Sequence, residues 1–305
     1  MPVKRRRWIA PACACALLGM PLVCPTLARR WADCIALPLI RMLRRLGGRL
    51  SFSLLEYGLL SIACILALTA IWELIRRRRF AVRLLRRLTA LLTSAAIAFG
   101  ALWLPLYARE TRQYAASAGQ MNALCAELIA LINESEPDFA LLPELPAKPA
   151  RFPEWMRRMN LSGFYSFITG EAFIAPDLPR ASLPFVAVHE AMHGEGIAGE
   201  GEANIAAWAR CMELSGAYAD SARLWALKYA MAALYVADPA LYAARRREMS
   251  SACFELYRQV GGKPSGSTYA SGAQAAFSAM GAGAAAGNYE ILAVYLASQQ
   301  PLCYN

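Results

Sequence analysis

The 305 residues contain only two histidines, His189 and His193, four positions apart, with Glu190 directly after the first. They sit in the stretch LPFVAVHEAMHGEGIAGEGEANIAAWA, residues 183–209. On a helix, residues i and i+4 share a face. Two imidazoles there can bind one Zn²⁺ at about 2.0–2.1 Å. Glu190 then points to the neighbouring side, where it can serve as general base toward a water at the metal. Two unrelated histidines are a plainer explanation, but chance seldom sets them at this spacing with Glu in second place. A purely structural zinc usually takes four protein ligands, often Cys, and the nearest cysteine, Cys211, lies 18 residues past His193.

Such a zinc needs a third protein ligand, and no third His exists. The segment GEGIAGEGEAN offers Glu195, Glu200 and Glu202. Gly194, Gly196, Gly199 and Gly201 allow a sharp reversal after His193, so that a second helix can pass beneath the first. Glu200 and Asn204 are spaced to share a helical face, and Glu202 falls nearly opposite. Glu200 as ligand, with Asn204 behind a ligand His, is the coherent choice, and Glu202 stands as the alternative. An oxyanion formed at a carbonyl also needs a donor. Tyr165, Tyr218 and Tyr269 are candidates, each equally readable as a packing aromatic.

These residues need helices to position them. The apolar run Leu183–Val188 predicts a buried helix ending near His193. A glycine-rich turn and a helix over about 202–214 follow. Helical apolar spacing also marks 114–134, 218–235, 239–260 and 269–298. Five prolines make 137–160 an extended connector. GFYSFITGEAFIA, residues 163–175, reads as a short strand or hairpin around Gly170, and a strand over 167–175 along the cleft would suit pairing with an extended peptide.

The first third of the chain is different in kind. Segments at about 8–27, 54–75 and 88–107 are each long and apolar enough to span a bilayer. The first also has the basic start and small-residue ending of a signal peptide. The net charge of +10 divides unevenly. Residues 1–108 hold seventeen basic side chains against three acidic, and residues 109–305 hold fifteen against nineteen. The positive charge therefore lies among the membrane segments, which speaks against nucleic-acid binding. Lys4–Arg7, Arg76–Arg79, Arg83, Arg86 and Arg87 form the more basic side, so the positive-inside rule places 109–305 outside the cytoplasm. ALPLIRMLRRL suits a basic amphipathic helix on the membrane surface. In an oxidising space Cys125, Cys211, Cys253 and Cys303 could form disulfides.

HEAMHGEGIAGEGEAN resembles the HELAHxxGxxxExEAN signature of a bacterial membrane-protein family of unknown function, the domain-of-unknown-function family 3810. GGRLSFSLLEYGLL, ALWLPLYARE and SGSTYASG resemble further elements of that family. Met192 stands where the family favours Ala, and the Asn preceding Tyr107 in the family is missing here. The order from Glu200 to Asn204 also looks like the glutamate helix of gluzincin-type peptidases. That resemblance implies zinc on His189, His193 and Glu200, with Glu190 catalytic.

The expected protein is mainly α-helical. A membrane domain of three transmembrane helices (1–108) precedes a mostly helical, zincin-like domain with a small hairpin or sheet (109–305). The expected function is that of a zinc-dependent metallopeptidase in the bacterial inner membrane, multi-pass, acting outside the cytoplasm on a peptide or protein of the surface or envelope. The alternative is a zinc-binding membrane scaffold or receptor that hydrolyses nothing.

Overall fold

The computed structural model describes residues 9–75, 80–109, 113–261 and 291–299. Lys4–Arg7, Arg76–Arg79, Tyr269, Cys303, the SGSTYASG segment and most of the helix expected over 269–298 lie outside the described residues. The described chain is mainly helical, with one small sheet, and divides into two compact units.

The first unit comprises the chain up to Arg109 together with Ser166–Glu171. Helix α1 (Ile9–Val23) ends before Pro25, where Cys24 takes an extended φ of −144°. Proline disfavours the helical region for the residue before it. The chain then resumes as α2 (Pro25–Trp31), a π-turn (Ala32–Ala36) and α3 (Leu37–Arg49), the basic amphipathic stretch. The helices on either side of the break are bent by 114°, and only taken together are they long and apolar enough to count as one span in the region of the first expected segment. Helix α4 (Leu54–Ile75) coincides with the second expected span.

Helix α5 (Phe80–Ala98) starts well before the expected 88 and continues through a π-turn and a 3₁₀ turn to Arg109. No Pro or Gly interrupts its start, and two of its early arginines are neutralised. Arg87 lies 2.8 Å and Arg83 3.7 Å from the buried Glu73 carboxylate. Among the described residues, two stretches, Leu54–Ile75 and Ala81–Arg109, are long and apolar enough to cross a membrane, and the bent pair makes a third if it acts as one span. Large apolar side chains along α4, including Leu59, Ile65, Leu68 and Leu74, are exposed, as lipid-facing residues are.

In the second unit, α6 (Ala118–Ser135) begins with a reciprocal capping box. Ser117 Oγ accepts from the Gln120 amide at 3.2 Å, and Gln120 Oε1 accepts from the Ser117 amide at 2.9 Å. The proline-rich connector carries strand β1 (Lys148–Pro149) and the short helix α7 (Glu154–Met159). Strands β2 (Gly163–Ser166) and β3 (Glu171–Ile174) make the expected hairpin, with Gly170 at φ +71° in its turn.

The sheet order is β1-β3-β2, with β1 parallel to β3. β3 is thus paired on both sides, and an added peptide strand would have to meet an edge, β1 or β2, instead. Helices α8 (Leu183–His193), α9 (Glu200–Leu214) and α10 (Gly216–Ala237) follow. The helix expected over 239–260 is two, α11 (Pro239–Glu248) and α12 (Ser251–Gly261). Asn133 stitches the break, donating to the Glu248 carbonyl at 2.9 Å and accepting from the Ser250 amide at 3.0 Å. Helix α13 (Ile291–Ser298) closes the described chain.

The core of this unit gathers Leu124, Leu128 and Ile132 of α6, the apolar face of α8, and Ala222, Leu227 and Leu234 of α10. Phe185 stacks on Trp225 with ring centroids 5.6 Å apart. Cys125, Cys211 and Cys253 are buried in it and free. Burial pushes the thiols of Cys125 and Cys211 up to about 12.

Candidate metal centre

Helix α8 is almost wholly buried from Pro184 to His193, as its apolar run requires. Its first turn has no cap of its own. Ser221 of α10 supplies one, accepting from the Phe185 amide at 3.1 Å and donating to the Ala181 carbonyl at 2.6 Å. That pins the start of the helix whose far end carries His189, Glu190 and His193. After His193 the turn needs only one left-handed glycine, Gly196 at φ +88°. Gly194 and Gly199 take ordinary negative φ. Glu200 is the first residue of α9, where the positive end of the helix dipole favours a carboxylate.

The reversal brings three donor residues together. His189 Nε2 stands 3.0 Å from Glu200 Oε2, and His193 Nε2 stands 3.7 Å from Glu200 Oε1. The imidazoles meet edge to face, with centroids 4.8 Å apart. One ligand atom from each of the three residues lies within 4.8 Å of the others. Four donors at about 2.1 Å around a tetrahedral ion would stand about 3.4 Å apart. Two imidazoles and a carboxylate at this spacing fit a divalent cation with one position left open. His193 Nδ1–H donates to the Ile197 carbonyl at 2.7 Å, which turns its Nε2 toward Glu200. Glu202 is not among the converging donors. It is partly buried, which raises its carboxyl pKa.

The electrostatics follow from crowding charge into a dry place. Burial opposes the charge on Glu200, but the two histidines outweigh it and hold the carboxyl well below the usual range. Burial likewise opposes a charged His193, yet Glu200 and then Glu190 raise it to about 9. In the metal-free state a proton on His193 therefore supplies the positive charge that the cluster calls for. Burial raises Glu190 to about 7, with the two histidines pulling the other way. A carboxyl poised near neutrality can both take and give a proton.

Strand β2 explains how Glu190 is held. A Cβ built on Gly163 would lie 2.6 Å from Glu190 Cγ and 2.7 Å from Cδ, and would collide with Oε1. A side chain at this position would force either the strand or this carboxylate to move. Sequence reasoning missed Gly163, although a glycine inside a strand pattern signals close approach. Strand alternation puts Tyr165 on the same face as Gly163. Tyr218 is elsewhere engaged, its hydroxyl donating to the Glu144 carbonyl at 2.5 Å. Asn204 is buried but does not bond His189 Nδ1, which is buried with no hydrogen-bond partner among the described residues.

Fold and site together define a mainly helical protein with candidate membrane spans and a buried His–His–Glu cluster beside a near-neutral carboxyl. Residues 132–263 match the sequence model of a family described as "Protein of unknown function (DUF3810)", which supports the resemblance over that stretch. The matched range holds the hairpin, α8, the glycine turn and α9. GGRLSFSLLEYGLL, ALWLPLYARE and SGSTYASG fall outside it. Neither a curated protein nor a solved structure matches the chain.

Proposed function

We propose that this chain is a membrane-anchored, zinc-dependent peptidase of gluzincin type, acting on peptides or proteins at the outer face of a bacterial inner membrane. The observation that carries the reading is the convergence of His189, His193 and Glu200 within 4.8 Å, with Glu190 on the same helix as the two histidines. Zinc, when held there, acidifies a water and polarises a carbonyl oxygen. The protein's own residues do the rest. Glu190 accepts a proton as water oxygen adds to the scissile carbonyl carbon. It then passes that proton to the amine nitrogen as the C–N bond breaks. Tyr165, on the same face of β2 as Gly163, would donate to the developing oxyanion in this reading. As an edge strand, β2 suits an extended peptide, which favours peptide bonds over other carbonyl substrates. The basic side chains among the spans support an outward orientation for residues 110–305.

The test is elemental analysis and peptide cleavage on the full chain in detergent, beside Glu190→Gln, Glu200→Ala and Glu202→Ala. One zinc per chain is expected in the parent protein and in the Glu190 and Glu202 variants, and loss of zinc in the Glu200 variant. Cleavage should fall by about 10²–10⁴-fold in Glu190→Gln. A folded parent protein without zinc sinks the proposal. Normal zinc with a cellular role that survives Glu190→Gln makes the protein a scaffold instead.

A further inference from the structure

The second unit carries another feature that the metal cluster does not use. Helix α11 ends in Arg245–Arg246–Arg247. A basic last turn is ordinarily explained by the negative end of the helix dipole. Arg245 fits that explanation and is neutralised as well, its Nη1 lying 2.7 Å from Glu248 Oε2.

The other two arginines differ. Arg247 Nε donates to the Ala243 carbonyl one turn back, at 3.1 Å. Arg246 stacks its guanidinium 5.0 Å above the Phe254 ring of α12. Both are exposed, and neither meets a carboxylate among the described residues. Both line one cavity of about 480 Å³, with Tyr242, Ala243 and Phe254. Tyr235 holds the Tyr242 ring edge-on at 5.1 Å, so that wall is braced.

We infer that this cavity between α11 and α12 is a binding site for an organic phosphate. The guanidinium fork matches phosphate oxygens two at a time. Arg246 is held in place by the ring beneath it and Arg247 by the helix carbonyl, which lowers the ordering cost of binding. The depression is open to solvent on one side and has room for more than a bare anion. The phosphoryl group therefore sits on Arg246 and Arg247, and the sugar, glycerol or apolar body lies against Tyr242 and Phe254. No lining residue belongs to the His189–Glu200 cluster, so the site stands or falls independently of the peptidase proposal.

A phosphate ester could be free in solution or the headgroup of an anionic lipid, and titration of the full chain in neutral detergent separates these sources. The probes are glycerol 3-phosphate, dihexanoyl phosphatidylglycerol and dihexanoyl phosphatidylcholine, with plain glycerol as blank. Saturable binding of glycerol 3-phosphate identifies a free ester, and saturable binding of the glycerol lipid alone identifies a headgroup. Either should weaken by about tenfold or more in Arg246→Gln/Arg247→Gln, since both guanidinium contacts to the phosphoryl oxygens are lost. Arg245→Gln should bind like the parent protein. If the double variant fails to fold, Arg246→Lys keeps the charge without the fork and should still bind more weakly. No saturable binding, equal binding of the two lipids, or unchanged affinity in the folded arginine variants overturns the site.

Discussion

Glu190 owes its position to a side chain that is not there. A methyl group at Gly163 would overlap the carboxylate, so either the strand or the glutamate must move. Overpacking of this kind costs roughly 1–3 kcal/mol, and a misplacement of about 1 Å at a catalytic group costs on the order of 10²-fold in rate. Gly163→Ala should therefore lower the melting temperature of the full chain by a few degrees and cut any peptide cleavage about a hundredfold. Its zinc content should stay unchanged, because Glu190 is not among the converging donors. Parent-like cleavage would show that β2 does not set the carboxylate. The same residue shows what was hidden in the sequence. His189, Glu190 and His193 announce themselves by type and spacing, and Glu200 by its place after a glycine turn. Gly163 lies 27 residues upstream of Glu190, and only the hairpin brings it there.

At the scale of elements, the hairpin turn is part of the membrane unit. Glu171 is almost fully buried, and its carboxylate caps α4, accepting from the Leu54 amide at 2.9 Å and the Leu55 amide at 2.8 Å. Gly170 lies against the Leu43 backbone, and Gly47 against the Thr169 carbonyl. Glu171→Ala strands two amides at a helix start, a loss of about 1–3 kcal/mol each if they stay buried. Thermal unfolding of the full chain in detergent should show it as a lower midpoint. An unchanged midpoint would mean that water replaces the carboxylate. Helix α4 was legible because its 22 residues are apolar but for Glu56, Ser61, Thr69 and Glu73. The start of α5 was not, because Arg83 and Arg87 read as loop charge until Glu73 is seen between them. The α11–α12 break was missed because its cause, Asn133, lies 117 residues from Ser250.

At the scale of the whole molecule, the His189–His193–Glu200 cluster and Glu190 make stability depend on pH. His193 and Glu190 both have folded pKa values above their ordinary ones, at about 9 and about 7. The folded state therefore binds more protons than the unfolded chain across this range, and stability falls as pH rises. The contribution of Glu190 is complete below its ordinary pKa near 4.5 and gone above about 7. That of His193 is complete below about 6.5 and gone above about 9. Glu200 has the opposite sign and matters only in acid. With chelator present, the full chain should melt at a lower temperature at pH 9 than at pH 5.5. Added zinc should reverse that trend, since a metal competes with the proton on His193. A flat profile with chelator would contradict this account of the cluster. A last consequence concerns the order of synthesis. The Leu54 and Leu55 amides precede the carboxylate that caps them by 117 and 116 residues. At about 5–20 residues per second, α4 waits roughly 6–23 s for its cap. The membrane unit is thus completed only by chain that follows it, and a gene cut at residue 109 leaves both products with an unmatched surface.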